Sequence, residues 1–204
     1  MTAARTYRTK VGSQEIELPL VQVAPEVSIA LLICVDHGVR FAEQAGRELA
    51  AVLADLGVEI VASVATMGIP LAIEVTRALG LDDYAILHKT PKIHLKDAVA
   101  EDVRSITTDR QQRLLFDRTR IHAVEGKRVA IVDDVISTGG SSRAALNLIR
   151  KVGGQPVAFG ALLTEGGLWR QALGEDAELV HALGSIPLFR HHSDGSLLED
   201  WGQA

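Results

Sequence analysis

One stretch, Val129-Ala-Ile-Val-Asp-Asp-Val-Ile-Ser-Thr-Gly-Gly-Ser141, restricts the possible folds more than any other. Val129 to Val132 has the character of a buried strand and leads straight into adjacent carboxylates, Asp133 and Asp134. A loop of small residues, Ser137 to Ser141, comes next, and Ala144, Ala145, Leu148, Ile149 and Val152 then recur at helical spacing. Strand, glycine turn and helix start form the repeating unit of α/β folds. The free N–H groups at such a helix start carry partial positive charge, so a phosphate settles there. Gly139 and Gly140 let the backbone approach it closely, while Ser137, Thr138 and Ser141 add hydroxyl donors. The carboxylates would repel that same phosphate. They suit a hydrogen-bond donor attached to it, such as the vicinal hydroxyls of a ribose. The plain alternative is an Asp pair that only caps a helix, and glycine-rich turns alone are weak evidence against it.

The remaining chain alternates strand and helix around this unit. Tyr7 to Val11 and Glu15 to Val23 flank Gly12-Ser13, a hairpin turn. Val27 to Val35 is a near-continuous apolar run, expected for a strand covered on both faces. Asp36 reads as the cap of a helix carrying Phe41, Ala45, Leu49, Val52, Leu53 and Leu56, which Gly57 ends. Val58 to Ser63 is the next strand, followed by a helix from about Ile69 to Leu79 with Pro70 in its first turn. The loop between them, Ser63-Val-Ala-Thr-Met-Gly68, again joins a strand end to a helix start with small residues. Ligands of open α/β sheets collect at the carboxyl ends of strands, so these two loops should flank one crevice. Tyr84 to Leu87 and Pro156 to Leu163 are further strands, with edge strands at Glu178 to Leu183 and Ile186 to Arg190. Between Ile93 and Val124 the apolar pattern weakens, and Val103 to Thr108 and Arg113 to Phe116 read as a two-stranded excursion. The expected fold is α/β: an open, mostly parallel sheet with helices on both faces, as one domain over residues 1–204.

Composition narrows the function. Net charge is −5, yet Lys89 to Arg128 holds ten Lys and Arg against six Asp and Glu. An acidic body with a basic segment suits a small anionic substrate and argues against nucleic acid as a partner. A lone Cys34 allows no internal disulfide and fits a reducing compartment; within its apolar run it reads as a core thiol. The longest apolar run is too short to cross a bilayer, so no membrane partner and a cytoplasmic location are expected. His37, His88, His94, His122, His181, His191 and His192 show no metal-site spacing.

Residues 129–142 resemble the signature of the type I phosphoribosyltransferases, which bind 5-phosphoribosyl 1-pyrophosphate (PRPP). A looser likeness to the purine branch, the adenine- and xanthine-like members, runs from about Val58 onward. The resemblance implies a Rossmann-like core, a flexible lid over 93–124 and a small C-terminal hood over 164–204. It implies that Asp133 and Asp134 face the ribose and act catalytically, and that Ser137, Thr138, Gly139, Gly140 and Ser141 hold the 5′-phosphate. It places pyrophosphate against Ala65, Thr66, Met67, Gly68 and Lys89. In the lid, Ser105, Thr107, Thr108 and Arg110 are the best-placed donors. In the hood, Glu165 would anchor the loop, and Trp169 would either stack on a base or pack the hood. Mg²⁺ would travel with the substrate oxygens, with no metal ligand assigned to the protein. The implied partners are PRPP, a nucleobase and a second copy of the chain, as a homodimer. The implied reaction moves the phosphoribosyl group to a purine, adenine first and then hypoxanthine, guanine or xanthine. Two departures from the pattern, a pyrophosphate loop without charged side chains and a lid tip without the acidic, tyrosine-containing sequence, keep open a non-catalytic PRPP-sensing regulator. A transferase for a pyrimidine base is the alternative within the enzyme class.

Overall fold

Gly12 takes a left-handed conformation (φ +56°) that lets the chain reverse tightly, and the strands on either side pair in antiparallel register. A computed structural model describes residues 5–95, 97–103 and 112–202. In chain order its strands and helices are β1 (Thr6–Val11), β2 (Gln14–Ala24), β3 (Val27–Ala30), α1 (Gly38–Leu53), β4 (Ile60–Val64), α2 (Gly68–Ala78) and β5 (Tyr84–Leu87). There follow β6 (Val99–Val103), β7 (Gln112–Phe116), β8 (Arg128–Ile136), α3 (Gly140–Lys151), β9 (Gln155–Glu165), α4 (Leu168–Leu173), β10 (Val180–Ala182), β11 (Ser185–Ile186), β12 (Leu188–His191) and β13 (Leu197–Asp200).

The central sheet has the order β10-β9-β8-β4-β5, with β11 continuing the edge beside β9, and its strands run parallel. Helices cover both faces, as expected of an α/β fold. Leu49 and Leu53 of α1 and Leu71 and Val75 of α2 join Val61, Ala130, Val132 and Leu162 in one core. Leu148 and Ile149 of α3 join Ile60, Ile131 and Phe159 in another. Strands buried on both faces need apolar residues at every position, and β4 is buried throughout. The chain leaves β4 toward β5 on one side and returns to β8 on the other. That reversal is a topological switch point, and a crevice opens at the carboxyl ends of β4 and β8.

Three expectations change. The apolar run Val27 to Val35 is not one strand of the central sheet. Its strand stops at Ala30, and Cys34–His37 forms a single 3₁₀ turn before α1. In β3, Ser28 and Ala30 point inward while Val27 and Ile29 are half-covered, the alternation of a sheet with one wet face. Asp36 therefore lies within the 3₁₀ turn; His37 stands at the start of α1 and makes no side-chain cap bond. The second change concerns the hood. Its C-terminal strands β12 and β13 belong to a five-stranded antiparallel sheet completed by the N-terminal strands, in the order β1-β2-β3-β12-β13. Third, the weak apolar pattern between Ile93 and Val124 does not extend to the stem of the hairpin β6–β7, where Leu114 and Phe116 are fully buried in the second core. His88 and Leu115 exchange two backbone hydrogen bonds, at 2.8 Å each, and tie the stem to the end of β5. Lys151 Nζ on α3 also donates to the Ala100 carbonyl at 2.7 Å.

Candidate functional site

The crevice exists because β8 outlasts its neighbour. Pairing with β4 stops at Ser63 opposite Val132, whereas pairing with β9 continues to Ile136 opposite Thr164. Asp133 and Asp134 thus sit inside β8 on its newly bared edge, rather than in a loop beyond the strand. Each caps the next peptide. Asp133 Oδ1 accepts the Asp134 N–H at 3.0 Å, and Asp134 Oδ1 accepts the Val135 N–H at 2.9 Å. Each carboxylate thus gives a neighbouring backbone N–H a local side-chain acceptor. Burial pushes the Asp133 carboxyl well above the usual carboxylate range; the neighbouring Asp134 charge adds to the rise, and Lys89 opposes it. Lys89, exposed just past β5, is therefore brought within electrostatic reach of Asp133.

The two loops meet at Gly68. A Cβ there would lie 2.2 Å from Ser63 Oγ, 2.8 Å from Asp133 Oδ1 and 3.2 Å from the Val132 carbonyl. Only glycine lets the start of α2 lie against the end of β8. Ser63 Oγ, wholly buried in this contact, has no hydrogen-bond partner among the described residues. In the loop itself the Ala65–Thr66 peptide is cis, the Ala65 N–H donates to the Leu87 carbonyl at 2.8 Å, and Thr66 and Met67 are exposed. Neither α2 nor α3 has a side-chain cap. Their first-turn N–H groups are the natural partners of an anion in the crevice.

Ser137, Thr138 and Gly139 connect β8 to α3, while Gly140 and Ser141 already belong to the helix. Gly139 takes φ +79° and lies against α4: a Cβ would stand 2.9 Å from Ala172 Cβ and 3.0 Å from Trp169 Cα. Glu165, at the end of β9, accepts the Ser137 hydroxyl on Oε2 at 2.5 Å. Its carboxyl is raised by burial, with the Ser137 hydrogen bond acting the other way.

Trp169 is not a stacking platform. Only 5% exposed, it belongs to the core beneath α3, its indole N–H donates to the Gly166 carbonyl at 3.2 Å, and the Arg170 guanidinium lies 4.2 Å over its ring. With one face covered and the ring buried, its surroundings are those of a residue that packs the hood. The donors expected at Ser105, Thr107, Thr108 and Arg110 lie outside the described residues.

Sequence reasoning passed over one wall of the crevice. Cys34 is buried, and its thiol is pushed up to about 11 by burial first and by the Asp134 charge second, which puts the Cys34–His37 turn beside the acidic pair. An apolar groove of about 330 Å³ opens there, lined by Val35, Gly38 and Val39 with Ile69, Pro70 and Ile73 of α2. Among the described residues no helix is long and apolar enough to cross a membrane.

A family model described as "Phosphoribosyl transferase domain" matches residues 40–176, about two thirds of the chain. An orotate phosphoribosyltransferase of Pelotomaculum thermopropionicum is 32% identical over 123 residues, covering 60% of this chain and 53% of that protein. An adenine phosphoribosyltransferase of Thermobifida fusca is 50% identical over a shorter 54 residues, 26% of this chain and 31% of its own. The chain thus spans about half the length of the first curated relatives it matches. Among solved structures, an adenine phosphoribosyltransferase from Rhodothermus marinus shares the fold with a TM-score of 0.68 and 24% identity, covering 83% of this chain and 94% of that one.

Proposed function

The chain belongs to the phosphoribosyl transferase domain family, and on that premise we propose that it transfers the 5-phosphoribosyl group from PRPP to a purine base, adenine first, releasing pyrophosphate. The observation that carries this reading is the convergence at one switch point of the Asp133–Asp134 pair, two uncapped helix starts and Lys89. The 5′-phosphate is assigned to Ser137–Ser141 at the start of α3, and the pyrophosphate to Ala65–Gly68 at the start of α2 with Lys89. Between them the ribose lies over Asp133 and Asp134. These carboxylates accept its hydroxyls and face the ring as positive charge develops at C1, an oxocarbenium-like state.

Mg²⁺ fits this donor set as a substrate-borne ion. Among the described residues no three of His, Cys, Asp or Glu converge on one point, and Mg²⁺ commonly keeps waters and substrate oxygens rather than an all-protein cage. When bound it would neutralise charge on the departing pyrophosphate. The base is assigned to the apolar groove beside Cys34–Gly38, whose walls suit a flat ring better than the buried Trp169. A homodimer is the assembly proposed, readable by sedimentation.

The test is pyrophosphate release from PRPP and Mg²⁺ in the presence of adenine, hypoxanthine, guanine or xanthine. Release with one purine supports the reading; no release with any of them, while PRPP still binds in calorimetry, sinks it. A pyrimidine acceptor is the second reading, favoured by the orotate phosphoribosyltransferase likeness over 123 residues, and orotate belongs in the same screen.

A further inference from the structure

Ser137 stands at the mouth of the anion loop, yet its one hydroxyl hydrogen is already given to Glu165 Oε2 at 2.5 Å. Glu165 is 5% exposed. While Glu165 is ionised, Ser137 turns only lone pairs toward an incoming phosphate, and a hydroxyl has a single hydrogen to give. The carboxylate and the phosphate would then flank the same small group as like charges in a poorly hydrated place. One proton removes both conflicts. With Glu165 protonated, its O–H donates to Ser137 Oγ, and the Ser137 hydrogen is released toward the anion.

We propose that Glu165 and Ser137 form a proton-coupled donor switch in the anion loop, so that the chain takes up a proton on Glu165 when it binds a phosphate-type dianion. The proton comes from solvent, and no covalent bond to the ligand changes. Burial already holds the Glu165 carboxyl above its ordinary value, and the Ser137 hydroxyl is what holds it down. The titratable and charged residues on the elements packed around it are Arg128, Asp133 and Asp134 on β8, Arg143, Arg150 and Lys151 on α3, Arg170 on α4, Arg190 and His191 on β12, and Glu199 and Asp200 on β13. Of these, Arg170 lies on the Trp169 ring, and Arg190 is paired with Asp200 at 2.9 Å. Glu165 is thereby a positioning residue, acting through Ser137 rather than by touching the ligand.

This inference rests on the assignment of Ser137–Ser141 to the 5′-phosphate. Calorimetric titration with sulfate, which does not itself titrate near neutrality, and with ribose 5-phosphate tests both. The titrations are run in buffers of different protonation enthalpy, from mildly acidic to mildly alkaline conditions. The wild-type chain should take up protons on binding sulfate, and its affinity should fall as pH rises. Glu165→Gln carries a permanent donor at the same place. It should bind several-fold more tightly than wild type at the alkaline end, with a flat pH profile and the uptake abolished. Ser137→Ala keeps Glu165 but removes the hydroxyl that favours its ionised form, so its uptake should shrink; this arm also serves if Glu165→Gln fails to fold. Sulfate binding without proton uptake, uptake unchanged in Ser137→Ala, or a Glu165→Gln profile like that of wild type overturns the switch while leaving the loop assignment standing. Binding of neither sulfate nor ribose 5-phosphate overturns the loop assignment and the switch together.

Discussion

Replacing Gly68 by Ala probes the junction of the two loops with a single methyl group. The added carbon would stand 2.2 Å from Ser63 Oγ and 2.8 Å from Asp133 Oδ1, with the Val132 carbonyl at 3.2 Å. Ser63 is fully buried on β4, so its hydroxyl has no open space to turn into. Forcing a methyl into a packed interior costs about 1–3 kcal/mol. Ala is worth roughly 0.5–1 kcal/mol over Gly in a helical conformation, which offsets part of that. The net loss should be about 1–2 kcal/mol, or a melting temperature lower by roughly 2–8 °C for a chain this size. Ser63→Ala alone deletes an unpartnered buried hydroxyl and should be neutral or stabilising by up to about 1 kcal/mol. Combined with Gly68→Ala it removes the tightest of the three contacts, so most of the lost stability should return, as a coupling of about 1 kcal/mol in the double-mutant cycle. The contact with Asp133 Oδ1 remains, so turnover should stay low in the double variant. Calorimetric melting of the four proteins beside a pyrophosphate-release assay reads both effects. Additive stabilities, with no rescue by Ser63→Ala, would refute the packing argument. Full activity in Gly68→Ala would refute the claim that this glycine seats α2 against the acidic pair.

Asp133→Asn keeps an acceptor for the Asp134 N–H but removes a carboxyl whose folded-state pKa is raised. The folded chain holds that proton when the unfolded chain has lost it, so wild-type stability falls as pH rises from the ordinary carboxyl range through the raised value. The variant should therefore melt a few degrees higher than wild type near neutral pH, with the gap closing in acid, while turnover is lost; a variant less stable at neutral pH would contradict this sign. Trp169→Ala should cost about 3–5 kcal/mol by opening the core beneath α3. Trp169→Phe, by contrast, should leave the KM for the base unchanged in steady-state assays, and a raised KM with normal melting would restore a role in base stacking.

The signature around Asp133 was legible because its information is local. An apolar run, an acidic pair, small residues and a 3.6-residue repeat all fall within one strand-turn-helix unit. The same holds for α2, whose Pro70 marks its first turn, and for the β1–β2 hairpin at Gly12-Ser13. What escaped was decided at long range. The run Val27 to Val35 carries no mark of where a strand stops, and an apolar stretch alone does not say which sheet it joins. β3 pairs with β12, placing Val27 opposite Arg190 across most of the chain. Nothing within either segment announces that partner. Trp169 looked available because an indole suits a core and a binding face equally; only the covering Arg170 and the seat beneath α3 separate the two. The sequence put the Ser63–Gly68 loop and Asp133 on one crevice, but the close contact of Gly68 with Ser63 Oγ and Asp133 Oδ1 is a matter of packing that no local pattern encodes.

The most direct test of the central claim is pyrophosphate release from PRPP with Mg²⁺, measured for each purine base and for orotate against a base-free control. The account predicts release that depends on a purine, strongest with adenine, and that disappears in the Asp133→Asn, Asp134→Asn double variant while the fold persists. Release with orotate alone, or turnover that survives in the double variant, would contradict it.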